Sequence, residues 1–376
     1  MRLYLDHNAT SPLRPEVIEA VNAAMHVPGN SSAPHGDGRA AARLINDARD
    51  SLGLALGVCA QDIIFTGSGT EADNTAVHSA VAHGCKRLLV SPMDHPATIL
   101  MAERSGAAIE MMPVNQHGQT NMAWLKDRLA NWHETDGPPF VSLVAANSET
   151  GVIQDTETAT DLVHDAGGFI LIDAVQALGK LSMTYMPDYL AVSAHKIGGP
   201  QGVGALYVAE GAPFDPLLHG GGQERRRRAG TMNVAGIAGF GAACEAIKDL
   251  SHTAVIRDAI EAGLKVMEPD LYIFGEGANA KGLGRLPNTS FFAVPDTPSA
   301  TLLMALDLSG ISVSTGISCS SGKAAVSKAI QAMGVDHHAP KGALRISLGY
   351  TNTSQDADLF LAAWAKIRRR AMKGAA

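Results

Sequence analysis

Two spacings of apolar residues alternate along the first two thirds of the chain. Leu44, Ile45, Ala48, Leu52 and Leu56 recur at helical spacing, and Gly57 follows as a stop. Short unbroken apolar runs bounded by turn residues come next: Ile63-Ile64-Phe65, Leu88-Leu89-Val90, residues 140–145 and residues 169–172. Stretches with helical character, at 96–104 and 156–166, lie between them. A strand that is apolar without alternation is buried on both faces, so the pattern predicts an α/β fold with a largely parallel sheet covered by helices. Beyond about residue 250 the texture changes. Residues 287–294, 311–313 and 344–348 read as strands of a smaller α+β unit. The last helix is expected to start at Thr353-Ser354-Gln355-Asp356, a capping pattern, and to run to Met372.

Length and composition narrow the class. The 376 residues suit about two domains, and 46% hydrophobic with 18% charged residues is an ordinary globular balance. Thirty Lys+Arg against thirty-seven Asp+Glu leave a net charge of −7, which argues against nucleic acid or an anionic membrane as the main partner. The start of the chain has no basic stretch ahead of an apolar core, and no apolar run reaches the length of a membrane span. Cys59, Cys85, Cys244 and Cys319 form no C-x-x-C pair, so neither a zinc ribbon nor a disulfide framework is indicated. The fourteen histidines show no H-E-x-x-H spacing, and no metal site is expected. A cytoplasmic protein with reduced thiols is the resulting expectation.

The candidate chemistry lies at strand ends. Asp173 closes the run 169–173, where open α/β sheets bind ligands, although an aspartate there also serves as a helix cap. Lys196 follows the apolar run 189–192 inside Ser193-Ala194-His195-Lys196 and ahead of Gly198-Gly199. A lysine desolvated at such a position becomes nucleophilic; on its own it reads equally as a surface lysine. Together the two suit pyridoxal phosphate (PLP), which takes a lysine for its Schiff base and a carboxylate for its ring nitrogen. Residues 65–71, Phe-Thr-Gly-Ser-Gly-Thr-Glu, offer a glycine-rich turn into a helix for the phosphate. The same turn meets a loose dinucleotide pattern through Gly67, Gly69 and Ala72, with Asp94 where a ribose ligand would stand. A nicotinamide reading explains neither Lys196 nor Asp173.

At these residues the chain resembles the cysteine desulfurases of the PLP-dependent class V aminotransferase superfamily, in the iron–sulfur and nitrogen-fixation branch. The resemblance runs nearly end to end. It includes Asp6-His7-Asn8-Ala9-Thr10, Thr70-Glu71-Ala72-Asp73-Asn74, Asp94-His95-Pro96, Asn147-Ser148-Glu149-Thr150-Gly151 and Asp173-Ala174-Val175-Gln176. It continues through His195-Lys196, Gly220-Gly221-Gly222-Gln223-Glu224-Arg225, Ala229-Gly230-Thr231, Ser318-Cys319 and Leu344-Arg345-Ile346-Ser347.

The resemblance implies fold type I: a large domain, residues 12–250, with a mainly parallel seven-stranded sheet, and a small domain from 1–11 with 251–376 that carries the cysteine. It implies that Lys196 bonds PLP and moves the substrate's Cα proton, that Asp173 pairs with the ring nitrogen, and that His95 stacks on the ring and assists proton transfer. Gln176 approaches the phenolic oxygen, and Gly69, Thr70, Ser193 and His195 surround the phosphate. Thr231 reaches the phosphate of a second subunit, so a homodimer follows. Arg345, with Asn30 and Asn147, faces the substrate, L-cysteine, through the bidentate grip on a carboxylate that a guanidinium provides.

Cys319 lies in the small-residue run 312–322, too polar for a core strand, and reads as a loop thiol with Lys323 near enough to lower its pKa. By resemblance it takes the substrate sulfur as a persulfide, leaving L-alanine, and passes it to an iron–sulfur scaffold or other acceptor protein for iron–sulfur cluster assembly or tRNA thiolation. Cys59, Cys85 and Cys244 read instead as small buried hydrophobes. Selenocysteine lyase or another class V enzyme is the alternative on the same scaffold. Three departures stand out. Ser148 replaces the usual second asparagine as a cofactor contact. Ser31 follows Asn30 where proline is common, leaving the roles of Asn30 and His35 open. The run Arg225 to Arg228 is either a solvated face or a dock for an acidic acceptor or a tRNA-modifying partner.

Overall fold

The computed structural model describes residues 2–183, 186–315 and 327–374. The strands in chain order are β1 (Leu3–Tyr4), β2 (Ile63–Thr66), β3 (Arg87–Val90), β4 (Ala108–Met111), β5 (Phe140–Val144), β6 (Phe169–Asp173), β7 (Tyr189–Ser193) and β8 (Gly204–Val208). Then follow β9 (Tyr272–Ile273), β10 (Thr289–Ala293), β11 (Ile311–Ser312), β12 (Ser314–Thr315) and β13 (Leu344–Ser347). A seven-stranded sheet has the order β2-β8-β7-β6-β5-β3-β4. Every pairing from β7 to β4 is parallel, and β8 alone runs against its neighbours. The expected parallel sheet is therefore present with one reversed strand.

The central strands are buried along their length because both faces are covered. One face packs Val141, Leu143, Ile170, Ile172, Leu190 and Val192 into a core. The alternate residues, such as Phe140, Leu171, Tyr189 and Ala191, pack into a second core on the other face. Among the helices, α1 (Pro15–Met25), α2 (Gly36–Leu56), α3 (Gly69–Ala82) and α4 (Pro96–Arg104) come first. Helix α3 lies across β6, β7 and β8. It can lie close because the residues it buries, Ala72, Ala76 and Ala80, are small.

A second sheet, β12-β13-β10-β9, is antiparallel and packs around Trp364, Phe360 and Phe292. β1 pairs in parallel with β11, and Asp6 bridges to Ser347, so the first residues join this later part of the chain. The final helix spans Gln355–Gly374, and Asp356 accepts from the Thr353 N–H at 3.0 Å, which places the cap where the sequence put it. Cys85 and Cys244 are buried, but Cys59 is exposed at the turn before β2, contrary to the buried reading. Among the described residues no helix is long and apolar enough to cross a membrane, and no group of three or more His, Cys, Asp or Glu side chains is arranged to hold a metal ion.

Candidate active site

β6 ends on Asp173 and β7 on Ser193, and the ends of these parallel strands open into a cavity of about 600 Å³. Parallel strands present their C-terminal ends on one side, and the turns that follow supply the ligand groups. Gly69, Thr70, His95, Ser148, Asp173, Gln176, Ser193, His195, Lys196 and Arg345 all line this cavity.

The phosphate-sized end is built by the start of α3. Ser68 caps the helix by accepting from the Glu71 N–H at 3.2 Å, and Glu71 accepts from the Gly67 N–H at 2.8 Å. Arg228 holds the Glu71 carboxylate from outside at 2.8 Å. A helix start leaves its first N–H groups without intrahelical acceptors, so Gly69 and Thr70 present donors at the positive end of the helix. The turn is pressed against the sheet. A Cβ on Gly69 would stand 2.8 Å from Val175 Cγ2, and one on Gly204 would stand 2.4 Å from the Ser68 carbonyl carbon. Glycine is required at both positions by these approaches.

Lys196 donates to the carbonyls of Asn8 at 2.6 Å and Ala9 at 2.9 Å. Burial, then the Arg345 charge, pull its pKa down to about 8. Asp173 accepts from the Val175 N–H at 2.9 Å; burial raises its pKa, while that hydrogen bond, His95 and Lys196 favour its charge. His95 caps α4, its Nδ1 accepting from the Ala97 N–H at 3.1 Å, and burial lowers its pKa. With Nδ1 accepting, the neutral ring carries its proton on Nε2. His195 is likewise desolvated, its pKa lowered to about 4, and its Nδ1 meets Thr10 Oγ1 at 3.2 Å.

Arg345 Nη2 donates to Asp6 at 2.8 Å and Nη1 to the Ser148 carbonyl at 3.0 Å. Its Nε is buried and has no protein partner among the described residues. Gln176 donates to the Asn8 carbonyl at 2.9 Å and accepts from Lys180 at 2.8 Å. Burial and the neighbouring Lys196 and Arg345 charges lower Lys180 to about 7. Asp6, Asn8, Asp73 and Lys180 are part of this constellation without having been singled out from the sequence. The only sequence signal for Lys180 was its place four residues beyond Gln176, on the same face of a turn.

Three expected residues are not brought to the cavity. Asn147 is buried and does not line the cavity; it donates one amide N–H to the Met93 carbonyl and its Oδ1 accepts from the Glu149 N–H, the Thr150 N–H and Thr150 Oγ1, so it holds its own loop. Asn30 is an exposed turn residue that accepts from the Ser32 N–H, and His35 caps α2. Thr231 is exposed and does not line the cavity of its own chain. Cys319 and Lys323 lie outside the described residues. The arginine run is not one free patch, since Arg228 is bound to Glu71 and Arg227 donates to the Gln61 carbonyl at 2.8 Å. Only Arg225 and Arg226 are exposed. With Glu224 they form three successive left-handed residues, pinned by the Arg49–Glu224 ion pair at 2.7 Å.

The aminotransferase class-V family model matches residues 3–360. The chain belongs to the class V aminotransferase family. Relatives of this class V chain include a cysteine desulfurase of Cereibacter sphaeroides, 38% identical over 377 positions that cover 96% of this chain and 94% of that protein. An IscS-like cysteine desulfurase of Mycobacterium tuberculosis is 34% identical over 395 positions, covering 99% and 98%. Among solved structures, a NifS-like protein aligns with TM-score 0.87 and 32% identity over 99% of this chain and 100% of the other. A NifS-like protein from Rickettsia africae gives TM-score 0.87 at 30% identity, covering 98% and 100%.

The class V family is PLP-dependent, and the cavity fits that cofactor on its own geometry. The glycine-walled helix start suits a phosphate, a desolvated lysine amine suits an aldehyde, and a buried carboxylate at a strand end suits a protonated ring nitrogen.

Proposed function

We propose that this chain is a cysteine desulfurase, removing sulfur from L-cysteine to give L-alanine and a persulfide on Cys319. The observation that carries the reading is the convergence of Lys196, Asp173, His95 and Arg345 on one cavity, in a chain whose relatives over nearly its whole length are cysteine desulfurases.

Lys196 would bond the cofactor aldehyde, Asp173 would face its ring nitrogen and Gln176 its phenolic oxygen. Gly69, Thr70, Ser193 and His195 would hold the phosphate, and Ser148 would contact the cofactor edge. PLP, when bound, supplies an electron sink that makes bonds near the substrate Cα labile. Arg345, which lines the cavity, would orient the substrate by its carboxylate, while Asp6 and the Ser148 carbonyl hold its Nη groups. The lowered pKa of Lys196 lets its amine take and return the Cα proton near neutral pH. His95, with its proton on Nε2, can donate but not accept in its neutral form.

Cys319, as a thiolate, attacks the substrate sulfur. An S–S bond forms, the Cβ–S bond breaks with its electron pair kept by Cβ, and Cβ takes a proton, so no outside oxidant or reductant is needed.

Residues 12–250 form the cofactor unit in this reading, and 1–11 with 251–376 the unit carrying Cys319. The exposure of Thr231, away from its own cavity, supports a homodimer in which it serves the partner's phosphate. The persulfide would go to an iron–sulfur scaffold or other sulfur acceptor in the cytoplasm.

Mass spectrometry after exposure to L-cysteine tests the proposal: one extra sulfur is expected on the Cys319 peptide. Cys319→Ala should keep the cofactor colour and lose sulfide release, whereas normal turnover by that variant would refute the persulfide step.

A further inference from the structure

Asp73, on α3, faces the same cavity, is 2% exposed, and has an Oδ1 with no hydrogen-bond partner. It is one of three neighbouring buried carboxylates. Asp94 spends Oδ2 on the Ser142 hydroxyl at 2.7 Å and Oδ1 on the Val144 N–H at 2.6 Å. Asp173 takes the Val175 N–H at 2.9 Å. Asp73 forms no ion pair within 4 Å among the described residues. The groups around it are Asp173 at the end of β6, Asp94 in the loop after β3 and the uncharged Thr98 hydroxyl on α4. Across the cavity stand His95 and Lys196.

A buried, unpaired carboxylate is costly, and like charges beside it add to the cost, so the cluster must hold protons. Donated hydrogen bonds favour the charged form, and both oxygens of Asp94 receive them, against a burial that raises its pKa to about 7. Asp173 must be charged to face a ring nitrogen, on which point this inference rests on the reading given under Proposed function. The free oxygen of Asp73 can take a proton without displacing any donor. We infer that Asp73 is a neutral carboxylic acid in the floor of the cofactor cavity, a positioning residue whose proton leaves Asp173 the carboxylate opposite the cofactor ring. Burial, followed by the Asp173 and Asp94 charges, raises Asp73 well above the usual carboxylate range, in keeping with this assignment.

Infrared spectroscopy of the loaded protein at neutral pH tests it, with the pH midpoint of the lysine-bound cofactor's absorbance as a second readout. Asp73→Asn keeps the shape and a donor; it should remove one protonated-carboxyl band and leave the midpoint in place. Asp73→Leu, likewise uncharged, should remove the same band and also leave the midpoint in place. If Asp73→Asn leaves the carboxyl bands unchanged, or moves the midpoint by about half a pH unit or more, Asp73 carries a charge and the inference falls. Should the leucine variant fail to fold, the asparagine variant alone decides. Asp173→Asn, measured in parallel, separates the two ideas: intact cofactor binding and absorbance there would refute the ring-nitrogen role of Asp173, while the Asp73 band would still report its proton.

Discussion

Arg345 and Asp6 form an ion pair at 2.8 Å in which both side chains are largely buried, and it joins β13 to the segment following β1. Asp6 accepts from Nη2, and the Ser148 carbonyl accepts from Nη1 at 3.0 Å, so the guanidinium is held in one orientation at the cavity wall. Asp6→Asn removes the countercharge from a buried cation, a change that costs about 3 kcal/mol in comparable pairs. A lower denaturation midpoint is expected, together with a KM for L-cysteine raised about tenfold and a smaller change in kcat. An unchanged KM in steady-state kinetics would assign Asp6 to folding alone.

Gly204 is held against the Ser68 backbone so closely that a Cβ has no room. Because backbone atoms cannot swing aside, Gly204→Ala must shift the start of α3 and with it the donors of Gly69 and Thr70. Cofactor titration should show at least about tenfold weaker PLP binding, with the secondary structure kept. Gly202 offers a control, since a Cβ there meets nothing. Its positive φ of 77° still makes asparagine the gentler substitution.

His7 is 1% exposed, its Nδ1 meets Ser11 Oγ at 2.8 Å, and Gly349 packs against its ring. Burial lowers its pKa from 6.5 to about 4. The unfolded chain binds this proton first as pH falls, so the contribution is intact above pH 6.5 and is lost progressively toward pH 4. The full loss is about 3 kcal/mol. Urea unfolding across this range should show the decline, and His7→Gln should flatten it.

Lys196, lowered to about 8, should gain most of its neutral amine between pH 7 and 9. The rate at which cofactor-free protein captures PLP should rise about tenfold over that interval. A rise confined to pH above 10 would mean that the amine is not desolvated. Lys196→Ala should bind the cofactor without the lysine-dependent absorbance.

The central strands were legible because burial on both faces leaves an uninterrupted apolar signature, as in residues 169–173 and 189–193. β4 gives no such signal: it is an edge strand, its residues partly or fully exposed. Lys196 and Asp173 were readable because strand ends collect ligand groups. The role of Asp6 was not, since an ion pair across more than three hundred positions leaves no local pattern, and Lys180 offered only its spacing from Gln176. Asn147 shows the converse. Its type and neighbours suited a substrate contact, but its side chain ties Met93, Glu149 and Thr150 together and stands off the cavity lining. Cys59, apolar in character and flanked by apolar residues, turned out to be exposed because it stands at the turn ahead of a short 3-10 helix.

The opening residues are stitched to both halves of the molecule. Asp6 bridges to Ser347, the carbonyls of Asn8 and Ala9 hold Lys196, and Arg14 donates to the Ile197 carbonyl. Protease nicking near Thr10 would therefore uncouple the amine from the guanidinium while the main sheet stayed whole. Engineers trimming or splicing this front segment would be altering turnover directly, and fusions are better attached elsewhere.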